Sequence, residues 1–433
     1  MSSRGETSLN ETKYVPAKLK WLMVVSGMLI FLGALNIYSS TYYMNIEAGV
    51  NPYSHFLKHA LFGGVSLLAA VMLAYCPMAK IRRGAFIWCL AVLFLLILVL
   101  LIGRTVNGAT RWISVGPFSL QPSEFAKVVG VIWTASHLAD FLDRNVKISI
   151  IPKALKMPGL LLTGKIKELV RNLIYFTPLY PPLFFSLLVL KQPDMGTAGM
   201  ILFFPLFLYV ISGLPLKEVA FGMVLGFMLA MGLAILEPYR MARIHVFLDP
   251  FSYAQSDGFQ TVQSLIAVGS GGILGQGVGE GMSKFLYLPE QYTDFAFAVF
   301  AQEFGLVGAS VLLFLYIAFL YLGLSVARKL KETYPALLVY GLTMMISVQG
   351  LINIAMVIGM FPVTGIPLPF ISFGGSSLLT NFAALGLIWG TSVQSLRRVD
   401  LAERKRRIDA MEGRRVSLGQ LSESVFYGER GRY

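Results

Sequence analysis

The sequence predicts an all-α integral membrane protein of about ten transmembrane helices, with a large extracytoplasmic loop between spans seven and eight. Three observations carry that prediction. Apolar runs recur along the chain, each of about 20 residues and so long enough to cover a hydrocarbon core of about 30 Å. Of the 433 residues 56% are hydrophobic and only 14% are charged, where a soluble chain carries about a quarter. Basic residues cluster in alternate loops, the positive-inside pattern that puts both termini in the cytoplasm. Helices follow from the solvent, because a backbone in lipid must satisfy its own hydrogen bonds.

Residues 1–20 are polar and read as a cytoplasmic tail. The first apolar run is too long for a signal peptide and ends without a small-residue cleavage site. Spans are read over 21–42, 56–75 and 84–103, with Trp21 and Tyr42 at interface positions. Cys76 and Cys89 flank the basic turn between the second and third and suit neither a disulfide framework nor a metal site. The fourth span, 123–142, opens with Pro122, Ser123 and Glu124, a helix-start signature. Residues 144–171 are too basic to span; 165–174 read either as an amphipathic helix on the inner leaflet or as a solvated loop. Spans five to seven cover 176–190, 196–211 and 219–236, joined by short turns. The eighth, 294–327, is too long for one perpendicular crossing and should tilt or project. The ninth and tenth cover 335–358 and 371–394. A polytopic domain over 21–395 is thus followed by a basic cytoplasmic tail, 396–433, read as a tether or a disordered end.

With both ends inside, the unusual polar chemistry falls on the outer side. Residues 239–303 form the longest stretch between spans that cannot itself sit in lipid, and long polar loops of this kind are usually functional. Arg240, Arg243 and Lys284 are outward cations that could attract phosphate, and Gln263 and Ser264 are polar groups that could meet a substrate. The glycine run 269–281 lets backbone pass close to a ligand or another chain. Asp294 reads two ways, as the cap of the eighth span or as a general base at a dry, polar-lined mouth. Upstream, Arg111 suits an anion, since guanidinium matches phosphate oxygens. Glu124 and Lys127 are three apart, share a helix face and read as a buried pair, one of which could also meet substrate. Asp194 reads first as a helix cap. Glu303 lies deeper along the eighth span, and His137 reads as a core residue. The loop 359–381, rich in Pro and Gly, must be buried or line a cavity, and Ser372, Ser376 and Ser377 lie in it. No His, Cys or carboxylate cluster has metal-ligand spacing. The net charge of +13 is spread over alternate loops, which argues against nucleic acid.

Four motifs, RWISVGPFSLQPSEFAK, KQPDMGTA, GFQTVQSLIAVGSGGILGQGVGEG with LPEQYTDFAFAVFAQEFG, and PVTGIPLPFISFGGSSL, occur in that order between about residues 107 and 378. In these the chain resembles the FtsW/RodA/SpoVE family, the SEDS proteins of bacterial cell-wall synthesis. The resemblance implies a polymerase of lipid II, the undecaprenyl-pyrophosphoryl disaccharide-pentapeptide, in the bacterial cytoplasmic membrane. It also implies a class B penicillin-binding protein as transpeptidase partner, among other divisome or elongasome membrane proteins. The family's essential outer-loop aspartate falls on Asp294, and its acid and lysine of the fourth span on Glu124 and Lys127. Thr110, Phe373, Gln302 and Leu286 depart from frequent family residues, and the division-type reading is favoured over the elongation-type. The expected reaction is an inverting glycosyl transfer with Asp294 as base. Arg111, Arg240, Arg243, Lys284 or a divalent cation, Mg or Mn, would meet the leaving pyrophosphate. The rival readings are a lipid II flippase and a non-catalytic scaffold for the penicillin-binding protein.

Overall fold

The structure is a computed structural model; it describes residues 16–106, 109–115, 118–145, 177–215, 217–222, 238–282 and 288–428, with isolated positions at 224, 228 and 232. Three long helices come first, α1 (Ala17–Glu47), α2 (Ser54–Tyr75) and α3 (Met78–Ile102). A small antiparallel sheet follows, β1 (Arg104–Val106), β2 (Ala109–Val115) and β3 (Phe118–Leu120), in the order β1-β2-β3. Val106 pairs with Ala109 and Val115 with Phe118; the dipeptides between them in sequence, Asn107-Gly108 and Gly116-Pro117, are turn signals by composition and lie outside the described residues. The sheet is the one departure from an all-helical chain among the described residues.

Then come α4 (Pro122–Asp143), a 3-10 turn with α5 (Tyr180–Leu190), α6 (Met195–Ile211), α7 (Pro238–Leu248) and α8 (Phe259–Ser270). Pro122 opens α4 at a position where its missing N–H costs nothing. The chain closes with α9 (Ala296–Ala327), α10 (Thr333–Val357) and α11 (Gly375–Gly428). Among the described residues six helices, α1 to α4 with α9 and α10, are long and apolar enough to cross a membrane, and α5 and α6 are shorter apolar helices. The seventh span, 219–236, falls largely outside the described residues, as does 165–174. Of the tail read as a tether or a disordered end, residues 396–428 continue α11 as helix.

α4 and α10 form the middle of the bundle: 72% of the most apolar window of each is buried, against 17% in α2. α4 packs on α3, α5, α6 and α10, while α10 packs on α4, α9 and α11. α2 packs chiefly on α11, and α1 on α9. Lipid is as apolar as leucine, so close packing and interhelical hydrogen bonds must hold such helices together. The α1–α9 seam shows both. Asn36 donates to the Ala296 carbonyl at 3.1 Å, and Ser39 donates to the Glu303 carboxylate at 2.5 Å. Gln291, just ahead of α9, donates to the Ser40 carbonyl at 3.3 Å.

α9 is not one continuous helix. Gly305 (φ 64°, ψ −166°) breaks it in a conformation open to glycine. The glycine run feeds into the break. Gln276 and Gly277 donate to the carbonyls of Gln302 and Glu303, and Leu306 and Val307 donate to those of Gly272 and Ile273. The backbone that passes so close therefore passes α9.

The short connections sort the chain into two ends. At one, Arg82 meets Asp140 at 2.7 Å, Thr333 meets Asp143, Lys331 meets Glu403 and Arg398 meets Glu332. The basic clusters around Lys80, Arg328 and Arg397 lie there. The sheet, the 191–194 turn, α8, the turn before α9 and the 358–374 connection gather at the other end.

Candidate active site

A cavity of about 1070 Å³ opens at that second end. It is large enough for more than a drug-sized ligand. The connection between α10 and α11 closes one side as an irregular strap, with Pro362, Pro367 and Pro369 limiting its freedom to form helix or sheet. Strap, turn and helix are tied by side chains. Ser372 donates to the Thr293 carbonyl and accepts from Leu368 N–H, and Phe373 N–H bonds the Tyr292 carbonyl at 2.8 Å.

Asp294 sits on the cavity wall, just ahead of α9. It does not cap that helix: the N-cap position belongs to Phe295 and no side chain bonds there. Its carboxylate makes no hydrogen bond among the described residues, while its main-chain carbonyl accepts from Asn353 at 2.8 Å. Burial pushes its pKa up to about 7, and the Glu290 carboxylate adds to the rise; Arg111 and Arg243 oppose it, and Asp194 reinforces it. A carboxylate held near neutrality is suited to take a proton at working pH.

Arg111 projects from β2. It donates to the carbonyls of Gln192, at 3.4 Å, and Pro193, and its Nε lies 3.7 Å from Asp194. Asp194 caps α6, accepting from Thr197 N–H at 3.1 Å, so the cap reading and a charge contact hold together. Arg243, on α7, donates to the strap at Val363, 2.6 Å away. Gly365 lies between these groups with φ +69°. A Cβ there would sit 3.5 Å from the Asp294 carboxylate and 3.6 Å from the Arg111 guanidinium, so its absence keeps the gap between acid and base open.

Asp294, Arg111, Arg243 and Ser377 thus border one cavity. Glu124 and Lys127 do not. They form a buried ion pair at 2.8 Å within α4, and Lys127 also donates to Gln349 on α10 at 2.7 Å. Ser264 ties α8 to α10 by donating to the Val357 carbonyl at 3.0 Å, and Gln263 beside it is partly buried and off the cavity wall. Arg240 lies on the backbone of α7 with its side chain outside the description, and Lys284 lies outside the described residues. His55, Lys58, Arg104, Asp257 and Glu290 line the cavity and were not singled out from sequence. His55 Nδ1 meets Asn45 Oδ1 at 2.6 Å, and Asn45 donates its amide to Pro52, which fixes that amide's orientation. The available signal for the first two was a polar and a basic residue at the start of the second span. Among the described residues no group of three or more His, Cys, Asp or Glu could hold a metal. Asp257, Glu290 and Asp294 are the carboxylates of the cavity wall among the described residues.

Residues 20–396 match the model of a family described as FTSW_RODA_SPOVE, cell cycle protein. The chain is 35% identical over 375 residues to the probable peptidoglycan glycosyltransferase FtsW of Coxiella burnetii, covering 85% of this chain and 94% of the relative. It is 32% identical over 374 residues to stage V sporulation protein E of Bacillus subtilis, covering 86% and 96%. Among solved structures, a peptidoglycan synthase complex that coordinates polymerization and crosslinking matches with a TM-score of 0.67 and 26% identity, over 86% of this chain and 97% of that one. The rod shape determining protein RodA of Thermus thermophilus matches with a TM-score of 0.59 and 26% identity, over 87% and 96%.

Proposed function

Since the chain belongs to the FtsW/RodA/SpoVE family, we propose that its cavity is the polymerising centre of a peptidoglycan glycosyltransferase. The protein is a multi-pass membrane glycosyltransferase of cell-wall synthesis and cell division. In this reading the substrate is lipid II and the cavity faces outward, with both termini in the cytoplasm. The basic end of the bundle supports that orientation, since Lys and Arg prefer the cytoplasmic side.

Asp294 takes the proton of the 4-hydroxyl on the acceptor's N-acetylglucosamine. The freed oxygen attacks the anomeric carbon of the donor's N-acetylmuramic acid. A C–O bond forms there as the bond to undecaprenyl pyrophosphate breaks. One displacement turns the α-linked donor into a β-linked product. Arg111 and Arg243 receive the charge that develops on the leaving pyrophosphate. A divalent cation would be held by that pyrophosphate with Glu290, and would neutralise the same charge. The class B penicillin-binding protein crosslinks the product as partner.

The observation that carries this reading is a carboxylate left uncapped on a cavity wall, facing two arginines. A flippase would place its polar groups near the middle of the bundle, yet this cavity lies at one end. The test incubates purified protein with labelled lipid II and resolves products on a gel. Glycan chains from wild type and none from Asp294→Asn support polymerisation with this base. Chains at the normal rate from Asp294→Asn overturn the base assignment, and none from active-partner mixtures with wild type leaves the rivals.

A further inference from the structure

Gln349 and Asn353 stand four residues apart on α10, so they project from one face. Both are buried. Gln349 donates to the strap carbonyl of Pro367 at 3.0 Å and Asn353 to that of Ile366 at 2.7 Å, two consecutive carbonyls read by two consecutive turns of helix. Asn353 spends its other hydrogen on the Asp294 carbonyl, at 2.8 Å. One amide nitrogen thus links the catalytic turn to the strap that carries Gly365. Carbonyls only accept, so the Asn353 amide cannot be turned over. The Gln349 amide is fixed from below: Lys127 can only donate, and it holds Oε1 at 2.7 Å, which leaves Nε2 for Pro367. Glu124 neutralises Lys127 at 2.8 Å.

We propose that Gln349 and Asn353 form a two-amide clamp that sets the Asp294 carboxylate against the strap, and that Lys127 orients the clamp rather than touching substrate. All three are then positioning residues, and the inference rests on reading Asp294 as the base. A strap of prolines has few hydrogen bonds of its own, and buried carbonyls must find donors. Arg243 holds the strap at Val363, and Ser372 and Phe373 hold its far end to the Asp294 turn; between them, next to Gly365, the clamp supplies the bonds to Ile366 and Pro367. The groups facing Asp294 are Glu290 on its own turn, Arg111 on β2, Asp194 at the start of α6 and Arg243 on α7. A looser strap lets water in among them.

The test measures glycan formation from purified lipid II, with kcat, KM and pH dependence, for Asn353→Leu, Gln349→Met and Asp294→Asn. Misplacing a catalytic group by about 1 Å costs about 100-fold, so kcat should fall about 100-fold in Asn353→Leu and about tenfold in Gln349→Met, with KM within about threefold. The acidic limb of the rate should move to lower pH, since a hydrated carboxylate ionises more easily. Unchanged kcat, a rise in KM alone, or a slower enzyme with an unmoved acidic limb would each overturn the clamp. If Asn353→Leu is not recovered folded, Gln349→Met decides on the same readouts, because it leaves both Asn353 bonds in place. Asp294→Asn separates the two readings. If it polymerises at the wild-type rate, the base assignment falls and takes the clamp with it. If it is inactive while the clamp variants keep their rate and pH limb, the clamp alone falls.

Discussion

Asp294 concentrates the chemistry in one titration. With burial and Glu290 holding it up to about 7, the base form grows as pH rises through that value. Below it, kcat/KM should fall about tenfold per pH unit, measured as the initial rate of glycan formation between pH 5 and 9. A rate that stays level down to pH 5 would remove Asp294 as the limiting group. The sign for stability is opposite. An unfolded aspartate ionises near 3.9, so the folded state loses stability as pH rises from about 4 to about 7. Gly365 gives a second measurement at this scale. Gly365→Ala adds a methyl at van der Waals contact with both Asp294 and Arg111, in a backbone region that favours glycine. Activity should drop by about tenfold or more, corresponding to about 1.4 kcal/mol, with the protein still folded on size-exclusion chromatography. Wild-type activity would show that the gap is not used. Asp294 was legible in the chain only as a choice between cap and base, because a carboxylate ahead of an apolar run fits both. Phe295, whose position takes the cap, removes the first alternative and leaves the second to the rate measurement. Lys127 was legible as half of a pair, but not as the partner of Gln349, which lies 222 residues away.

At the scale of elements, the apolar runs told most of the story, because a helix in lipid needs length and little else. Boundaries moved where other forces acted. The sheet was hidden, since three short strands joined by turns look like a polar loop; only the turn signals hinted at it. The eighth span was read as too long, and the reason is a break rather than a tilt alone. The loop 271–277 supplies donors and acceptors for the backbone that Gly305 frees, so the broken helix keeps its hydrogen bonds without water. A side chain at 305 would meet Gly275 N at 2.3 Å. Gly305→Ala should therefore cost about 1–3 kcal/mol or more, read as a lower thermal midpoint in detergent. An unchanged midpoint would mean that the loop and helix can part freely. The glycine run was read as a close approach to a ligand or another chain; the missing information was that its neighbour lies thirty residues further along the same chain.

For the whole molecule, the basic loop clusters and the cavity occupy opposite ends, and this gives a vectorial prediction. Single cysteines introduced at Lys331 and at Ser114, in a Cys76→Ser, Cys89→Ser background, should be labelled from opposite sides of sealed spheroplasts by an impermeant maleimide. Ser114 should react from outside and Lys331 only after permeabilisation. Labelling of both from outside would contradict the orientation read from the basic loops.

The packing of α2 on α11 carries a last consequence, one about biogenesis. About 300 residues separate the end of α2 at Tyr75 from the start of α11 at Gly375. As the ribosome delivers the chain, α2 enters the bilayer long before its partner exists. Until then its His59 and Ser66, both buried in the finished protein, lack part of their cover, for His59 the Phe373 ring just ahead of α11. Translation that stops short of α11 leaves those groups stranded, the hallmark by which membrane quality control would recognise an unfinished polypeptide.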